Sequence, residues 1–257
     1  MAETVKTVKT VHSEREPVAS CKISSANLQY LLDWVSTING EVKLELDGGT
    51  LSYREIGAAH VCMVTGSAPV LEQEGEAEIG VDVDLVTDLL KPVPIAAPDP
   101  FRLEVYEAGP LVLEHARYEY ELQVLDTSGM TDPKDPDLEL PCRFTITARD
   151  WSNFLRRADK ASSYIKLAGH PDGVTGTAEG DQVSLTHKLD CDEHEFDSGH
   201  EDQVASLFSL DYLDSFRKAQ SFQGDVRFRL GNDYPIDWEA RPGECVLTGQ
   251  LAPRIED

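Results

Sequence analysis

The sequence of 257 residues lacks the features of several protein classes. No stretch approaches the ~18 consecutive apolar residues of a membrane helix, and the first 17 residues have no apolar signal core, so we expect a cytoplasmic protein. The five cysteines are an odd number without a C-x-x-C pair, which argues against a disulfide framework and a thiolate zinc site. Positive charge is also scarce, because 23 basic residues stand against 47 acidic ones and the net charge is −24.

Lysine is scarcer than arginine among the basic residues, with 10 lysines against 13 arginines. Loss of strongly hydrated ammonium groups suits a salt-adapted cell or its virus, where carboxylates keep a protein hydrated and salt screens their repulsion. An ordinary acidic protein that binds cations or basic partners is the alternative. Composition by itself makes nucleic acid a poor candidate ligand.

Catalytic motifs are missing as well. The chain has no phosphate-binding loop, no dinucleotide fingerprint, no G-x-S-x-G and no H-E-x-x-H. The best metal candidates have a spacing that fits no standard zinc module: His187, Cys191, His194 and His200. Asp82 and Asp84 could hold magnesium, but their place before a helix favours an N-cap. We therefore expect that the protein is not an enzyme and that it has neither a metal site nor a cofactor.

The chain resembles itself at an offset of roughly 125 residues. Residues 22–32 and 145–155 both have the pattern of a strand running into a helix that buries one face. Strands joined by Asp-Gly turns follow, then a second helix in each half at 83–91 and 210–219, then alternating strands. The sequence predicts a duplicated α+β fold with helices on one face of antiparallel sheets.

The same comparison divides the chain into four parts. Residues 1–18 contain a repeated T-V-K and are predicted to be a flexible tail. Domains at 19–124 and 142–257 flank a connecting segment at 125–141, which is rich in proline and acid. Its apolar residues could hold the segment against the surface; they are Leu125, Met130, Leu138 and Leu140.

The few basic residues are concentrated on two helices of the second half. At ~100° per residue, Arg149, Arg156 and Lys160 fall within roughly 60° of one another, with Arg157 nearby, opposite the apolar face. With Arg217 and Lys218 at the end of the next helix, these helices hold six of the 23 basic residues. A solvated face, with helix-dipole preference at the C-termini, is the alternative interpretation.

The second half also carries a resemblance to a known family. Residues 206–213, 217–219 and above all the final L-A-P-R-I-E-D closely resemble the C-terminal half of PCNA-type DNA sliding clamps. The resemblance covers about residues 19–257 and agrees with the duplication. It implies a homotrimeric ring of six domains, with helices lining a hole for double-stranded DNA. Such a ring tethers DNA polymerase, the clamp loader and other proteins that carry PIP-box-type peptides, and is not an enzyme.

The resemblance also implies site residues. The inner-helix cations of the family match Arg149, Lys218 and Lys91, and the basic stripe completes the DNA-facing set: Arg149, Arg156, Arg157, Lys160, Arg217, Lys218 and Lys91. The partner-peptide pocket under the connecting segment would consist of Ile56, Met130, Pro235, Leu251, Ala252 and Pro253. Subunits would pair through edge strands near 111–120 and 181–188.

The sequence departs from the family pattern at four positions. Gln250 stands where many relatives have an aromatic residue, which weakens stacking of an aromatic anchor. Gln29, Tyr30 and Asp88 stand where bases are common, so we expect the first half to contact DNA more weakly. The runner-up hypothesis is an acidic decoy with clamp architecture that binds clamp partners or basic proteins without DNA, and a metal-dependent enzyme comes third.

Overall fold

The computed structural model describes residues 16–107, 109–130, 133–134, 138–197, 199, 202–219 and 224–255. Most of the predicted tail, His200 and parts of the connecting segment lie outside these residues. No helix in the described part is long and apolar enough to cross a membrane.

One order of elements, with nine strands and two α-helices, occurs twice along the described chain. The first series is β1 (Ala19–Ile23), α1 (Ser25–Val35), β2 (Glu41–Asp47), β3 (Thr50–Ile56), β4 (Cys62–Pro69), β5 (Glu72–Glu74), β6 (Ala77–Asp82), α2 (Val83–Leu90), β7 (Phe101–Val105), β8 (Leu111–His115) and β9 (Tyr118–Leu122). The second series is β10 (Cys142–Thr147), α3 (Ala148–Ala158), β11 (Tyr164–His170), β12 (Gly173–Glu179), β13 (Ser184–Lys188), β14 (Glu193–Phe196), β15 (Val204–Ser209), α4 (Leu210–Ala219), β16 (Asp225–Leu230), β17 (Ile236–Ala240) and β18 (Val246–Leu251). A short 3-10 helix, Thr127–Gly129, lies between them. The predicted duplicated α+β fold is therefore confirmed.

The strands form three antiparallel sheets. The first has the order β5-β1-β7-β8-β9, and the third has the order β13-β12-β11-β15. The middle sheet, β14-β10-β16-β17-β18-β4-β3-β2-β6, joins the two halves because β18 pairs with β4 from Val246↔Ser67 to Leu251↔Cys62. We call this pairing the internal joint.

The helices begin where polar side chains cap their first turns. Ser24 accepts a hydrogen bond from the amide of Asn27, and Thr147 accepts one from the amide of Asp150. Asp82 caps α2 in the same way through the Leu85 amide, which is the structural role expected for it. Its charge also suits the positive end of the helix.

Aromatic packing joins the helices to the sheet at the internal joint. Trp34 of α1 lies 5.1 Å from Phe216 of α4, which in turn lies 4.8 Å from Trp238 of β17. The Trp34 indole donates to the Thr248 carbonyl at 2.9 Å, so a first-half helix is bonded to a second-half strand. Gly249 leaves the room that the Trp238 ring occupies. The two halves therefore share a continuous apolar core.

The predicted Asp-Gly turns are hairpins in the structure. β2 and β3 are joined through Gly48 and Gly49, whose φ angles of 55° and 80° favour glycine. In the second half, His170 pairs with Gly173 across a two-residue turn. The predicted segment 111–120 needs a correction, since β8 pairs on both sides, whereas β9 (Tyr118–Leu122) lies at an edge of its sheet.

Candidate nucleic-acid interface and partner pocket

The four helices form one layer on the sheets. α1 packs against α2, α3 packs against α4, and α1 also contacts α4 across the internal joint. Most of their apolar residues point into the core, and most of their charged residues face away from the sheets. The predicted DNA-facing cations lie on these helices or within two residues of their ends, so the layer is the candidate DNA-facing surface.

The arginines of α3 are exposed and, within the part of the chain that the structure describes, unpaired. Arg149, Arg156 and Arg157 all lie at the surface, and none makes an ion pair or side-chain hydrogen bond with another described residue. Trp151, Phe154 and Leu155 bury the opposite face of the helix. Lys160, two residues beyond the helix end, is exposed but bonded to Asp159 at 2.9 Å. Exposed guanidinium groups without an internal partner are suited to binding phosphate.

The cations of α4 are held by an acid of the same helix. Asp214 accepts a hydrogen bond from Arg217 at 2.5 Å and lies 2.9 Å from the ammonium of Lys218. Bonding by Arg217, followed by Lys218, holds the pKa of Asp214 below its usual value. The Arg217 side chain is only 13% exposed, so its predicted DNA-facing role needs correction, whereas Lys218 remains exposed.

The first-half helices carry little positive charge. Lys91, which caps α2, is bonded to Asp88 at 2.5 Å, and this bond raises the Lys91 pKa. Burial raises the pKa of Asp33 on α1, and Lys91 opposes that shift. Gln29 is buried and donates to the Val93 carbonyl, so it supports the fold and does not face outward. The charge on the helix layer is thus basic only in the second half.

The residues of the predicted pocket come from three parts of the chain. Ile56 ends β3, Leu251 ends β18 and Pro235 directly precedes β17. Pairing of Ile236 with Leu251, and of Leu251 with Cys62, brings these strand ends to one side of the middle sheet. Ala252 continues the contact by donating to the Val61 carbonyl at 2.8 Å.

The pocket residues differ in how far they are exposed to solvent. Leu251 is fully buried, so it can only support the floor. Ile56, Met130, Pro235, Ala252 and Pro253 are partly exposed. They are the residues that a bound peptide could touch.

The connecting segment is bonded to the first half at two points. The Leu125 amide donates to the Gly80 carbonyl at 2.9 Å, and a Cβ on Gly80 would lie 2.5 Å from the Leu125 carbonyl oxygen. The Arg54 guanidinium donates to the Pro133 carbonyl at 3.3 Å. Met130 lies between these two attachment points, so they fix its course over the sheet. Sequence reasoning missed Arg54, because only the fold brings it to a residue 79 positions away.

The C-terminal segment is bonded to the second half. The Arg254 amide donates to the Leu207 carbonyl at 2.7 Å. Its guanidinium lies over the ring of Tyr164, 4.2 Å from the ring centre, and donates to the tyrosine hydroxyl. These contacts hold Ala252 and Pro253 beside the strand ends. The final residues of the L-A-P-R-I-E-D motif, Glu256 and Asp257, lie outside the described part.

The candidate metal ligands do not form a site among the described residues, where no group of three or more His, Cys, Asp or Glu could hold an ion. Burial raises the pKa of Cys142 to about 12 and that of Cys191 to about 11. Both thiols are therefore protonated at neutral pH, which makes them poor nucleophiles.

No family model matches this chain. The DNA polymerase sliding clamp of Methanosarcina barkeri is 31% identical over 246 residues, which cover 91% of this chain and 98% of that protein. This chain belongs to the DNA polymerase sliding clamp family. The sliding clamp of Halobacterium salinarum is 32% identical and is covered to 97%.

Solved structures agree with the family. A structure of Archaeoglobus fulgidus PCNA with the C-terminal region of FEN-1 bound has a TM-score of 0.84 and 25% identity, over 93% of this chain and 99% of that one. PCNA of Entamoeba histolytica, at 15% identity and a TM-score of 0.82, shares the fold. The predicted clamp fold and resemblance are thereby confirmed.

Proposed function

We propose that three copies of this clamp chain close into a ring that encircles double-stranded DNA without reading sequence and tethers replication and repair proteins. In this role the chain catalyses no reaction. The observation that carries the proposal is the internal joint between β18 and β4. In the duplicated fold, β9 corresponds to β18 and β13 corresponds to β4. Both are edge strands, so pairing β9 of one copy with β13 of the next would repeat the joint between copies.

The register of this pairing follows from the duplication. The pair Leu111↔Leu122 corresponds to Ile236↔Leu251, and Glu179↔Ser184 corresponds to Ile56↔Met63. By these correspondences, Glu119 is equivalent to Thr248 and Thr186 is equivalent to Thr65. The pair Thr248↔Thr65 of the internal joint therefore predicts that Glu119 pairs with Thr186 of the next copy. The neighbouring pair is Tyr120 with Leu185.

The two edges also leave apolar side chains exposed. Tyr118 is 66% exposed on β9, and Val183, directly before β13, is 54% exposed. Tyr120 and Leu185 are partly buried and pack on the core. Pairing would cover these side chains and satisfy the edge backbone groups, which is how an open sheet avoids indiscriminate association. Three copies with two domains each (residues 19–124 and 142–257) would give six domains and equivalent joints.

The helix layer would then face the DNA. Arg149, Arg156 and Arg157 have no side-chain partner among the described residues and would meet phosphates, which supply position but no sequence information. Lys160, Lys218 and Lys91 would add charge, although each is ion-paired with an aspartate. At about 1 M salt the Debye length is ~3 Å, so ionic attraction is weak and a closed ring would hold DNA by topology.

The partner pocket would take the hydrophobic anchor of a replication protein. The FEN-1 segment bound to the Archaeoglobus clamp supports this class of ligand. Ile56, Met130 and Pro253 offer apolar surface between the connecting segment and the C-terminal segment. Polymerase and clamp loader would be partners of this type, and Gln250 would stack an aromatic anchor less well than an aromatic residue.

The DNA-encircling role is tested by reversing charge on α3. We expect the Arg149→Glu, Arg156→Glu variant to lose most of its stimulation of the polymerase of the same genome on primed circular DNA. Lys166→Glu, an exposed change on β11 away from the helices, should leave stimulation intact. Unchanged stimulation by the α3 variant would overturn the DNA role and favour a clamp-like adaptor that binds partners without DNA.

A further inference from the structure

The outer face of the middle sheet carries a groove of about 990 Å³ in the second half. Its side chains lie on the face opposite the helices, because Phe144, Phe228 and Trp238 alternate with them and point into the core. Arg143, Arg227 and Arg229 line the groove. Arg241 lines a neighbouring cavity of about 290 Å³ that shares Arg227.

One row of cross-strand partners connects this groove to the partner pocket. The pairs are Arg143↔Arg229, Arg229↔Asp237, Asp237↔Gln250, Gln250↔Met63 and Met63↔Ile56. Ile56 is a pocket residue, and each step between neighbouring strands is about 4.8 Å. Arg229 therefore lies roughly 10 Å from Gln250 along the row, a span that about three residues of extended peptide cover.

The guanidinium groups of the groove stand above their acidic neighbours. Arg229 and Arg227 are ion-paired with Asp237 and Glu239 at 2.5 and 3.8 Å. The arginine side chains are nevertheless 51% and 65% exposed, whereas Asp237 and Glu239 are 7% and 31% exposed. Arg143 is exposed, and its guanidinium makes no hydrogen bond or ion pair with any described residue. The guanidinium groups of Arg143, Arg227 and Arg229 share the groove with the exposed carboxylates of Glu193 and Glu195 at its far edge.

The duplication supplies an internal comparison. In the first half, the row that corresponds to Arg143, Arg229 and Asp237 is Ser20↔Glu104 and Glu104↔Val112. Arg143 and Arg229 therefore do not follow from the fold, since the same sheet positions hold a serine and a glutamate, whereas Arg227 corresponds to Arg102 of the first half. In a chain with twice as many acids as bases, the adjacent pair Arg143 and Arg229 is local to one half.

We propose that this groove binds an acidic segment of a clamp partner, as a continuation of the hydrophobic anchor that fills the pocket. The proposal rests on the proposed partner-binding function. The forked guanidinium groups of Arg143, Arg227 and Arg229 would bind carboxylates of a peptide that runs along the row. The acidic residues would follow the anchor at a spacing of about three to six residues, given ~3.3 Å per extended residue.

The test compares peptides with one anchor and different flanks. Fluorescent FEN-1-type anchor peptides would carry four glutamates or four glutamines, at either the N-terminal or the C-terminal side, and their affinities would be measured by anisotropy. Exposed charge pairs each change affinity by roughly 1.5- to 5-fold. We expect the glutamate flank at one side to bind about fivefold more tightly than glutamine, with the advantage shrinking as salt rises from about 0.1 M to 1 M.

Variants locate the effect. The Arg143→Glu, Arg229→Glu variant should lose the glutamate advantage and keep its affinity for the glutamine peptide, while Arg102→Glu in the first half should change neither. Equal affinity of both flanks, or an advantage that survives in the double variant, would overturn the acidic-segment proposal alone. Failure of every peptide to bind, or binding that is unchanged in Met130→Asp, would instead contradict the pocket.

Discussion

The cations of the helix layer differ in whether an acid already holds them. Arg217, Lys218 and Lys91 are bonded to aspartates within their own helix or its cap. Arg149 and Arg156 have no such partner among the described residues. A cation without an internal partner can bind phosphate without first breaking a bond, so we expect the two α3 arginines to contribute more per residue to DNA contact.

The pH dependence of stability in an Asp214 variant tests the ion pairs of Asp214 with Arg217 and Lys218. Its pKa is lowered in the folded protein by Arg217 and Lys218. A lowered pKa means that its contribution is present above the usual aspartate value and is lost as pH falls through the folded value. Asp214→Asn should therefore reduce the free energy of unfolding by about 1 kcal/mol at pH 7 and by progressively less below about pH 3.8.

Urea unfolding followed by tryptophan fluorescence measures this difference. Asp225→Asn is the matched control, because Asp225 is exposed and makes no ion pair with a described residue. A loss in Asp214→Asn that stays constant down to the lowest pH would contradict the ion-pair explanation.

Individual residue roles could be predicted where they depend on local pattern. Asp82 caps α2 as its place before the helix suggests, and the apolar residues of α3 are buried as their spacing predicts. Gln29, Arg54 and Arg217 were beyond sequence reasoning. Their roles depend on contacts with Val93, on a carbonyl 79 residues away, and on burial within α4.

At the scale of elements, the internal joint depends on a glycine. A Cβ at Gly249 would overlap the indole ring of Trp238, whereas nothing lies within 4 Å of a Cβ placed at Gly129. Overpacking a filled core costs about 1–3 kcal/mol. Gly249→Ala should therefore lower the Tm by roughly 2–10 °C in differential scanning calorimetry, while Gly129→Ala should leave it nearly unchanged. Equal Tm values would show that the joint adapts without strain.

The connecting segment depends on Arg54. Arg54→Ala removes the hydrogen bond to the Pro133 carbonyl, so Met130 should lose its fixed position and anchor peptides should bind about two- to fivefold more weakly. Calorimetry gives the affinity, and hydrogen exchange should rise in 125–134 but not in the strands. Arg102→Ala, an exposed arginine on β7, is the control. Unchanged peptide affinity together with raised exchange would contradict the positioning role of Arg54.

At the scale of the whole molecule, the proposed pairing register between β9 of one copy and β13 of the next can be tested directly. By equivalence to the Thr65–Thr248 pair, whose hydroxyl oxygens lie 2.7 Å apart, the proposed joint would place the side chains of Glu119 and Thr186 side by side across two copies. The double variant Glu119→Cys, Thr186→Cys should form an intermolecular disulfide under mild oxidation, giving covalent trimers on denaturing gels. Glu121→Cys with Lys188→Cys, four residues out of register, should not. Equal cross-linking of both variants would contradict the register.

The fold was more predictable than the surfaces. Repetition of helix and strand patterns revealed the duplication, because each half must bury its own apolar faces. The sequence did not predict the outer row that contains Arg143, Arg229 and Gln250, because these residues come together only through strand pairing. Net charge was similarly uninformative, because it averages an acidic chain with a local basic helix face.

The measurement that tests the ring most directly is the mass of the particle in solution. Light scattering coupled to size exclusion, from about 0.2 to 3 M KCl at micromolar concentration, covers conditions from moderate to almost complete charge screening. We expect three times the chain mass of 28.4 kDa, about 85 kDa, because three copies close the ring. Monomers of 28.4 kDa at every salt concentration would contradict the account.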